Sequence, residues 1–146
     1  MCIRDRVTQI LTAQKANPNS HYLVFVVRVD KLKENRDAYV RLMASLIDAA
    51  RFIRDARNAD RVADDAAPTG HDKAIAKATI QPLIDIDYWP AADDGLDRKR
   101  LESLIAVMKK TEGIKADKEP VKYDRLVDRS VWRDAKAMVD AKAKVH

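Results

Sequence analysis

The hydrophobic and polar positions of this chain predict a short β region followed by helices to the end. Residues 7–12 (Val-Thr-Gln-Ile-Leu-Thr) predict one strand, and residues 17–20 have the composition of a turn. Residues 21–29 include the run Tyr-Leu-Val-Phe-Val-Val at 22–27. A continuous β-branched and aromatic run is typical of a strand covered on both faces, as in a parallel sheet. The pattern therefore predicts one or two strands.

A covered strand needs neighbours, because its backbone N–H and C=O groups must be paired. Apart from residues 7–12, no other segment of the sequence has a strand pattern. We therefore expect the other strands of the sheet to lie in a part of the protein that precedes this sequence.

Apolar residues at helical spacing predict four to six helices after the β region. A long helix is expected from Asn35, as its N-cap, to about Asn58. A short alanine-rich helix should follow over residues 59–67, and Pro68 and Gly70 should end it.

Three more helices are expected towards the end of the chain. They cover residues 71–84, the stretch from Asp97 as N-cap to a closing Gly113, and a final stretch from Ser130. The polar residues 140–146 should fray. The side chains expected to face inward are Tyr39, Leu42, Met43, Leu46, Ile47, Ala50, Ile53, Ile75, Thr79, Ile80, Leu83, Leu101, Leu104, Ile105, Met108, Trp132, Ala135, Met138 and Val139.

Composition and charge exclude several classes of protein. Aromatic residues make up 5% of the chain and charged residues 35%, so the core should be mainly aliphatic. The net charge of +5 is spread over Lys and Arg that alternate with Asp and Glu, which is typical of solvated helix faces. Nucleic-acid binding, which requires cations clustered on one face, is therefore not expected. No apolar run reaches the about 18 residues of a membrane span.

The first six residues, Met-Cys-Ile-Arg-Asp-Arg, resemble a sequencing adapter translated in frame. We expect residues 1–6 to be an artefact of that kind, so the absence of a visible signal peptide carries no information about localisation. Cys2, the only cysteine, lies in this segment. Disulfides and thiolate metal sites are therefore excluded for the rest of the chain.

The residues that could carry chemistry do not form a recognisable catalytic or metal-binding pattern. The three histidines are too far apart in sequence to indicate a metal site, and we expect no metal and no cofactor. The two Asp-Asp pairs are expected to be solvated, Ser130 to be an N-cap, and the hydroxyl of Tyr123 to lie at the surface. No catalytic residue is predicted, and the chain is not expected to be an enzyme. The residues weighed here are His21, His71, His146, Asp64, Asp65, Asp93, Asp94, Trp89, Trp132, Tyr123 and Ser130.

Four places in the sequence, in this order, resemble one known protein family. Residues 22–27 lead through residues 29–35 into the long helix, although Arg36 stands where the family usually has proline. Tyr-Trp-Pro at 88–90 precedes an Asp-Asp-Gly-Leu and a helix. Glu-Gly-Ile-Lys at 112–115 follows that helix, and residues 123–135 are similar to the family's closing motif. The chain resembles the C-terminal part of the substrate-binding proteins of ABC transporters, of the nitrate/sulfonate/taurine and thiamine-pyrimidine-precursor type.

The resemblance implies an α/β fold, mostly helical in this fragment, that belongs to a two-lobe periplasmic-binding-protein-like architecture. Residues 7–20 would be the end of the second lobe and the hinge crossing, and residues 21–139 the C-terminal part of the first lobe. The ligand would be a small polar or anionic solute held between the lobes. Asn19, Ser20 and His21 are the candidate ligand-binding residues in this part of the chain.

The resemblance also implies partners and a location. The protein would deliver its solute to the permease subunits of an ABC transporter, from the periplasm or the cell surface, and a lipid anchor could precede this sequence. Two alternatives are left open. One is a fragment of an enzyme that makes the thiamine pyrimidine, and the other is a stand-alone helical interaction domain.

Overall fold

The computed structural model of the chain describes Lys15 and residues 24–90, 94–115 and 117–144. Its Cα positions divide into two compact units, each considered by itself. One comprises Phe25–Gly95 and Val127–His146, and the other includes Leu96–Leu126. Seven α-helices and two short 3-10 turns account for most of the described residues. The prediction of a mostly helical chain is therefore confirmed.

The predicted strand over residues 22–27 is not confirmed. Residues 24–28 belong to no helix or strand, and Val29 begins helix α1 (Val29–Glu34). A strand exists only where another strand pairs with it, and the described residues include no strand at all. Residues 22 and 23, and the strand predicted over residues 7–12, lie outside the part that the structure describes.

Asn35 separates α1 from helix α2 (Arg36–Arg54), as the sequence predicts for an N-cap. Its side chain makes no capping hydrogen bond. Its backbone carbonyl accepts hydrogen bonds from the N–H groups of Ala38 and Tyr39, at 3.0 and 3.3 Å. Asn35 thus occupies the expected position, but backbone geometry, and not side-chain capping, starts the helix.

The long helix ends four residues earlier than predicted, at Arg54. Asp55 is extended, and its carboxylate accepts a hydrogen bond from the N–H of Arg57 at 3.0 Å. This local bond competes with the helix and starts the 3-10 turn Ala56–Asn58. Helix α3 (Ala59–Ala66) follows directly.

The connection that follows α3 contains Pro68 and Gly70, the two residues that the sequence predicts to end the alanine-rich helix. A 3-10 turn, Ala67–Thr69, is followed by Gly70 in the left-handed region, with φ of 84°. Asp72 then caps helix α4 (Lys73–Asp85), because its carboxylate accepts from the N–H groups of two helical residues, at 2.8 and 3.1 Å. Helices α3 and α4 pack together around Ala63 and Ile80, both of which are buried.

The main core lies between α2 and the last helix, α7 (Ser130–Ala143). Arg36 pairs with Asp134 near the start of both helices, and Arg51 pairs with Asp140 further along both. The two helices therefore run in the same direction. Small aliphatic residues fill the contact, and the buried ones are Val40, Ala44, Ala135 and Val139.

Several of the predicted inward faces are rotated from their expected positions. Val40 and Ala44 are the buried residues of α2, whereas Leu42, predicted to be inward, is 53% exposed. Helix α7 continues to Ala143, so the tail predicted to fray from residue 140 begins inside it. Of the side chains predicted to face inward, those found largely exposed are Leu42, Ile75, Thr79, Met108 and Met138.

The second unit contains helices α5 (Arg98–Lys110) and α6 (Tyr123–Leu126). Asp97 caps α5 as predicted, by accepting a hydrogen bond from the N–H of Arg100 at 2.9 Å. The helix is closed by Glu112, which has the left-handed φ of 59°, and not by Gly113. No residue of α5 is buried.

Candidate functional site

The predicted ligand-binding residues Asn19, Ser20 and His21 lie outside the part of the chain that the structure describes. The same is true of His146 and Asp93. The candidate site is therefore built from the described residues that carry charge, aromatic rings or a concave surface. The best-defined arrangement is the loop after α4, residues 87–90 and 94–95, which we call the anchored loop.

An arginine from α2 holds the first part of the anchored loop. The Nη1 group of Arg54 donates hydrogen bonds to the backbone carbonyl of Trp89 at 2.8 Å and to the carboxylate of Asp87 at 3.0 Å. Asp87 has a positive φ of 52°, which non-glycine residues rarely adopt. The guanidinium thus fixes a turn that the backbone alone would not favour.

A second arginine holds the other end of the anchored loop. Arg129 forms an ion pair with Asp94, whose side chain is 4% exposed. Gly95 follows with φ of 69°, and a Cβ atom at this position would lie 2.7 Å from Cγ of Pro90. The loop is therefore closed on itself by a proline–glycine contact as well as by two arginines.

Tyr88 and Trp89 give the anchored loop an aromatic surface. Their rings meet edge to face, with centroids 5.2 Å apart and an interplanar angle of 82°. The ring of Tyr88 is exposed and that of Trp89 half-buried. Such a pair can stack on an apolar or aromatic group, but the carboxylates beside it already pair with arginines.

An apolar groove of about 550 Å³ lies along α2 and α3. Its lining is Asp48, Ala49, Phe52, Ile53, Val62 and Asp65. The volume falls in the range of small-molecule sites, but the groove has no convergent set of polar groups to orient a ligand. A smaller polar groove of about 340 Å³ lies where α1 meets α2.

Several carboxylates of the larger unit accept hydrogen bonds from basic side chains that lower their pKa. Arg57 lowers the pKa of Asp55 to about 2 through side-chain and backbone hydrogen bonds. Lys77 lowers the pKa of Asp60, and Lys136 and then Arg51 lower that of Asp140. A general acid at neutral pH needs a raised pKa, so these groups do not provide one.

The aspartates of the two Asp-Asp pairs, all predicted to be solvated, differ in their surroundings. Asp64 pairs with Lys73 at 2.6 Å and Asp65 with Arg61 at 3.0 Å, all on exposed side chains. Asp94, by contrast, is buried against Arg129, so the prediction of a solvated carboxylate was wrong there. Within the described ranges, no group of three or more His, Cys, Asp and Glu side chains could hold a metal ion.

Ser130 is not the N-cap that the sequence predicts. It is the first residue of α7, and its N–H donates to the carboxylate of Asp128 at 2.8 Å. Its hydroxyl oxygen accepts a hydrogen bond from Arg36 at 3.1 Å. The hydroxyl therefore links α7 to α2, and its hydrogen bond to the Asp128 carboxylate lowers the pKa of that aspartate.

Tyr123 is anchored within its own unit. Its hydroxyl donates to the carbonyl of Leu96 at 2.7 Å, and the guanidinium of Arg98 lies 4.3 Å from the centre of its ring. Arg98 also pairs with Asp124. The ring therefore fastens α6 to the start of α5, and its hydroxyl is engaged and not directed to solvent as predicted.

Sequence reasoning missed the arginines that anchor the loop. Arg54 and Arg129 each lie 35 residues from the loop residue that they reach. Both are embedded in sequences where charges of either sign alternate, so neither stands out from its neighbours. The Tyr-Trp-Pro sequence at 88–90 and the Asp-Gly sequence at 94–95 could have indicated a turn. They do not indicate which distant side chains hold that turn in place.

No protein-family model, no curated protein and no solved structure matches the chain. In the described part, no helix is both long enough and apolar enough to cross a membrane.

Proposed function

We propose that this chain is the C-terminal part of the solute-binding component of an ABC importer, of the nitrate/sulfonate/taurine and thiamine-pyrimidine-precursor type. The complete protein binds a small polar or anionic solute by closing two lobes over it. It works in the periplasm or at the cell surface and passes the solute to the permease. It has no catalytic chemistry of its own.

One observation carries the proposal: the apolar segment, residues 24–29, has no cover in the described structure. Val24, Phe25, Val26, Val27 and Val29 are 43%, 70%, 88%, 42% and 67% exposed. Such a run is stable in water only when neighbouring strands and helices cover it. This supports a sheet that is completed by residues outside the described chain, as a two-lobe α/β protein requires.

The small extent of the core supports the same proposal. Among the described residues, six hydrophobic side chains are buried, whereas fourteen large ones are 37% exposed or more. A free-standing domain of about 150 residues normally buries about 70% of the surface of its unfolded chain. The helices thus leave apolar faces that a larger protein would cover, which argues against a stand-alone helical interaction domain.

The order of the elements also agrees with the resemblance. The long helix α2 follows Asn35, the anchored loop precedes α5, and the turn at Gly113 follows it. The final helix begins at Ser130, within the closing motif. The order of these helices supports the proposal, whereas the strand with which the resemblance begins is not formed by residues 24–27.

Solute binding by the complete gene product tests the proposal. The full reading frame would be recovered from the source DNA, and the purified protein titrated calorimetrically with nitrate, taurine, an alkanesulfonate and an aminopyrimidine. We expect saturable 1:1 binding of one of these classes, with a decrease in radius of gyration as the lobes close. Absence of binding to all four, or an iron-dependent activity on a pyrimidine precursor, would contradict it.

A further inference from the structure

We propose that the exposed side of α5 is a docking surface for an anionic lipid membrane, with Lys99, Lys109 and Lys110 as its contact residues. The lipids concerned have a phosphodiester headgroup of net negative charge, as phosphatidylglycerol does. The inference does not rest on the proposed function. It adds a contact with a membrane surface to a chain in whose described part no helix could cross a membrane.

The net charge of the chain is unevenly divided between the two units. Residues 96–126, in the second unit, contain nine Lys and Arg and six Asp and Glu. The larger unit, Phe25–Gly95 with Val127–His146, contains sixteen of each and is neutral. A local excess of one charge draws partners of the opposite charge, such as anionic membranes or nucleic acids. The second unit is therefore the part of the chain suited to an anionic partner.

Helix α5 carries most of this excess. It contains five Lys and Arg but one acidic residue, Glu102, which pairs with Arg98 at 3.6 Å. Lys99, Lys109 and Lys110 are exposed. Among the residues that the structure describes, no carboxylate forms an ion pair with any of these three lysines. Their charges are therefore available to a partner.

The lysines are placed to meet a flat surface along the length of the helix. Lys99 and Lys110 are separated by about three turns, so they lie on the same side of α5, about 16 Å apart along its axis. Ser103 and Ala106 lie between them on that side. Val107, next to this row, is 39% exposed. A basic helix face that also exposes apolar side chains is typical of helices that lie on a membrane surface.

A membrane fits this face better than a nucleic acid does. Helix α5 has no aromatic side chain on which a base could stack. An anionic membrane is a continuous sheet of charge, so it attracts lysines whatever their spacing. Val107 can enter the boundary between headgroups and acyl chains, for which a nucleic acid offers no equivalent. Each lysine close to such a surface raises the partition coefficient about fivefold.

Co-sedimentation of the purified 146-residue chain with lipid vesicles measures the interaction. One set of vesicles contains equal parts of phosphatidylglycerol and phosphatidylcholine, and the other contains phosphatidylcholine alone. We expect binding to the anionic vesicles alone, and weaker binding as the ionic strength rises from about 0.05 to about 0.5 M, because salt screens exposed charges. Combining Lys109→Gln with Lys110→Gln should lower the partition coefficient about 30-fold, and Lys99→Gln about fivefold.

A matched variant separates the effect of this surface from that of net charge. Lys142→Gln combined with Lys144→Gln removes two exposed lysines at the C-terminal end of α7, in the larger unit. The net charge changes by the same amount as in the double variant of α5. The partition coefficient should fall by less than about twofold, because these lysines lie outside the proposed surface. Circular dichroism checks that all variants keep the same helical content.

Four outcomes would overturn the inference. They are no binding to the anionic vesicles, equal binding to phosphatidylcholine vesicles, equal effects of the two double variants, and tighter binding to a single-stranded oligonucleotide than to the anionic vesicles at the same ionic strength. Equal binding to phosphatidylcholine would assign the interaction to exposed apolar residues and not to the lysines. A complete protein that binds no solute would contradict the proposed function and leave the vesicle result standing.

Discussion

The carboxylate of Asp94 is almost fully buried and pairs with the guanidinium of Arg129, 35 residues further along the chain. A carboxylate removed from water is costly unless a cation or several donors compensate it. The pair therefore joins the anchored loop to the residue that immediately precedes α7.

Replacing Arg129 with alanine should destabilise the larger unit. The change removes the cation that faces a buried carboxylate, and because Arg129 itself is about half exposed, we expect a loss of about 1–3 kcal/mol in the free energy of unfolding. Urea denaturation followed by circular dichroism measures it. Arg61→Ala, which removes an exposed pair with Asp65, is the control and should cause no measurable change. Equal stability of the two variants would contradict the role assigned to Asp94.

Alanine substitutions at two glycines can distinguish the energetic cost of backbone strain from the cost of a steric clash. Gly70 and Gly95 both have positive φ, but a Cβ atom meets nothing within 4 Å at Gly70 and meets Pro90 at 2.7 Å at Gly95. Gly70→Ala should cost about 1 kcal/mol from the backbone alone. Gly95→Ala should cost about 1 kcal/mol more. Thermal denaturation of both variants measures the difference, and equal losses would show that Pro90 does not restrain the loop.

The sequence predicted the existence and order of the helices better than their faces. Helix starts at Asp97 and around Asn35 could be read from the residues, because N-cap positions have a distinct chemistry. The inward face of α2 could not, since hydrophobic residues surround much of this helix and Leu42 fits the stripe as well as Val40 does. The face is chosen by α7, whose small Ala135 allows close approach.

Close packing of α2 against α7 depends on small side chains. Ala135 is fully buried at this contact, whereas Ala137 on the same helix is exposed. Ala135→Leu should overfill the contact and destabilise the unit by about 1–3 kcal/mol. Ala137→Leu has the same change in volume and helix propensity, and should alter stability by less than about 0.5 kcal/mol. Chemical denaturation compares them, and similar values would contradict the core described here.

Removing Arg54 should loosen the aromatic part of the anchored loop. Arg54→Ala deletes the donors to the Trp89 carbonyl and to Asp87, with an expected loss of about 1 kcal/mol in stability. In a Trp132→Phe background, the fluorescence of Trp89 should shift to longer wavelength as the ring gains contact with water. Arg57→Ala, which removes an exposed cation just beyond α2, should leave the emission unchanged. An unchanged spectrum in Arg54→Ala would show that other contacts hold the loop.

The pKa of Asp55 predicts a specific response to acid. Arg57 lowers this pKa from 3.8 to about 2, so the folded state favours the ionised carboxylate. Its stabilising contribution is complete above pH 3.8 and is lost as the pH falls through about 2. The side-chain carboxyl carbon resonance of Asp55, followed by NMR, should titrate near pH 2, and Arg57→Ala should move the midpoint upward. A midpoint near 3.8 in the unmodified chain would contradict the pairing.

The candidate site was harder to predict than the fold. The anchored loop is fixed by Arg54 and Arg129, and nothing local in the sequence couples either residue to Asp87, Trp89 or Asp94. Ion pairs between residues distant in sequence form only where helix packing brings the residues together. That packing is determined by the hydrophobic core and not by the charged residues themselves. The proposed ligand residues Asn19, Ser20 and His21 remain a prediction that only a structure describing them can test.

Whether these helices belong to a larger two-lobe binding protein is tested most directly by reading the coding sequence upstream of Val7 in the source DNA. We predict a continuous reading frame that begins with a signal peptide or a lipoprotein signal and continues with alternating strand and helix patterns. A start codon at or just before Val7, with no coding sequence upstream of it, would contradict the proposal.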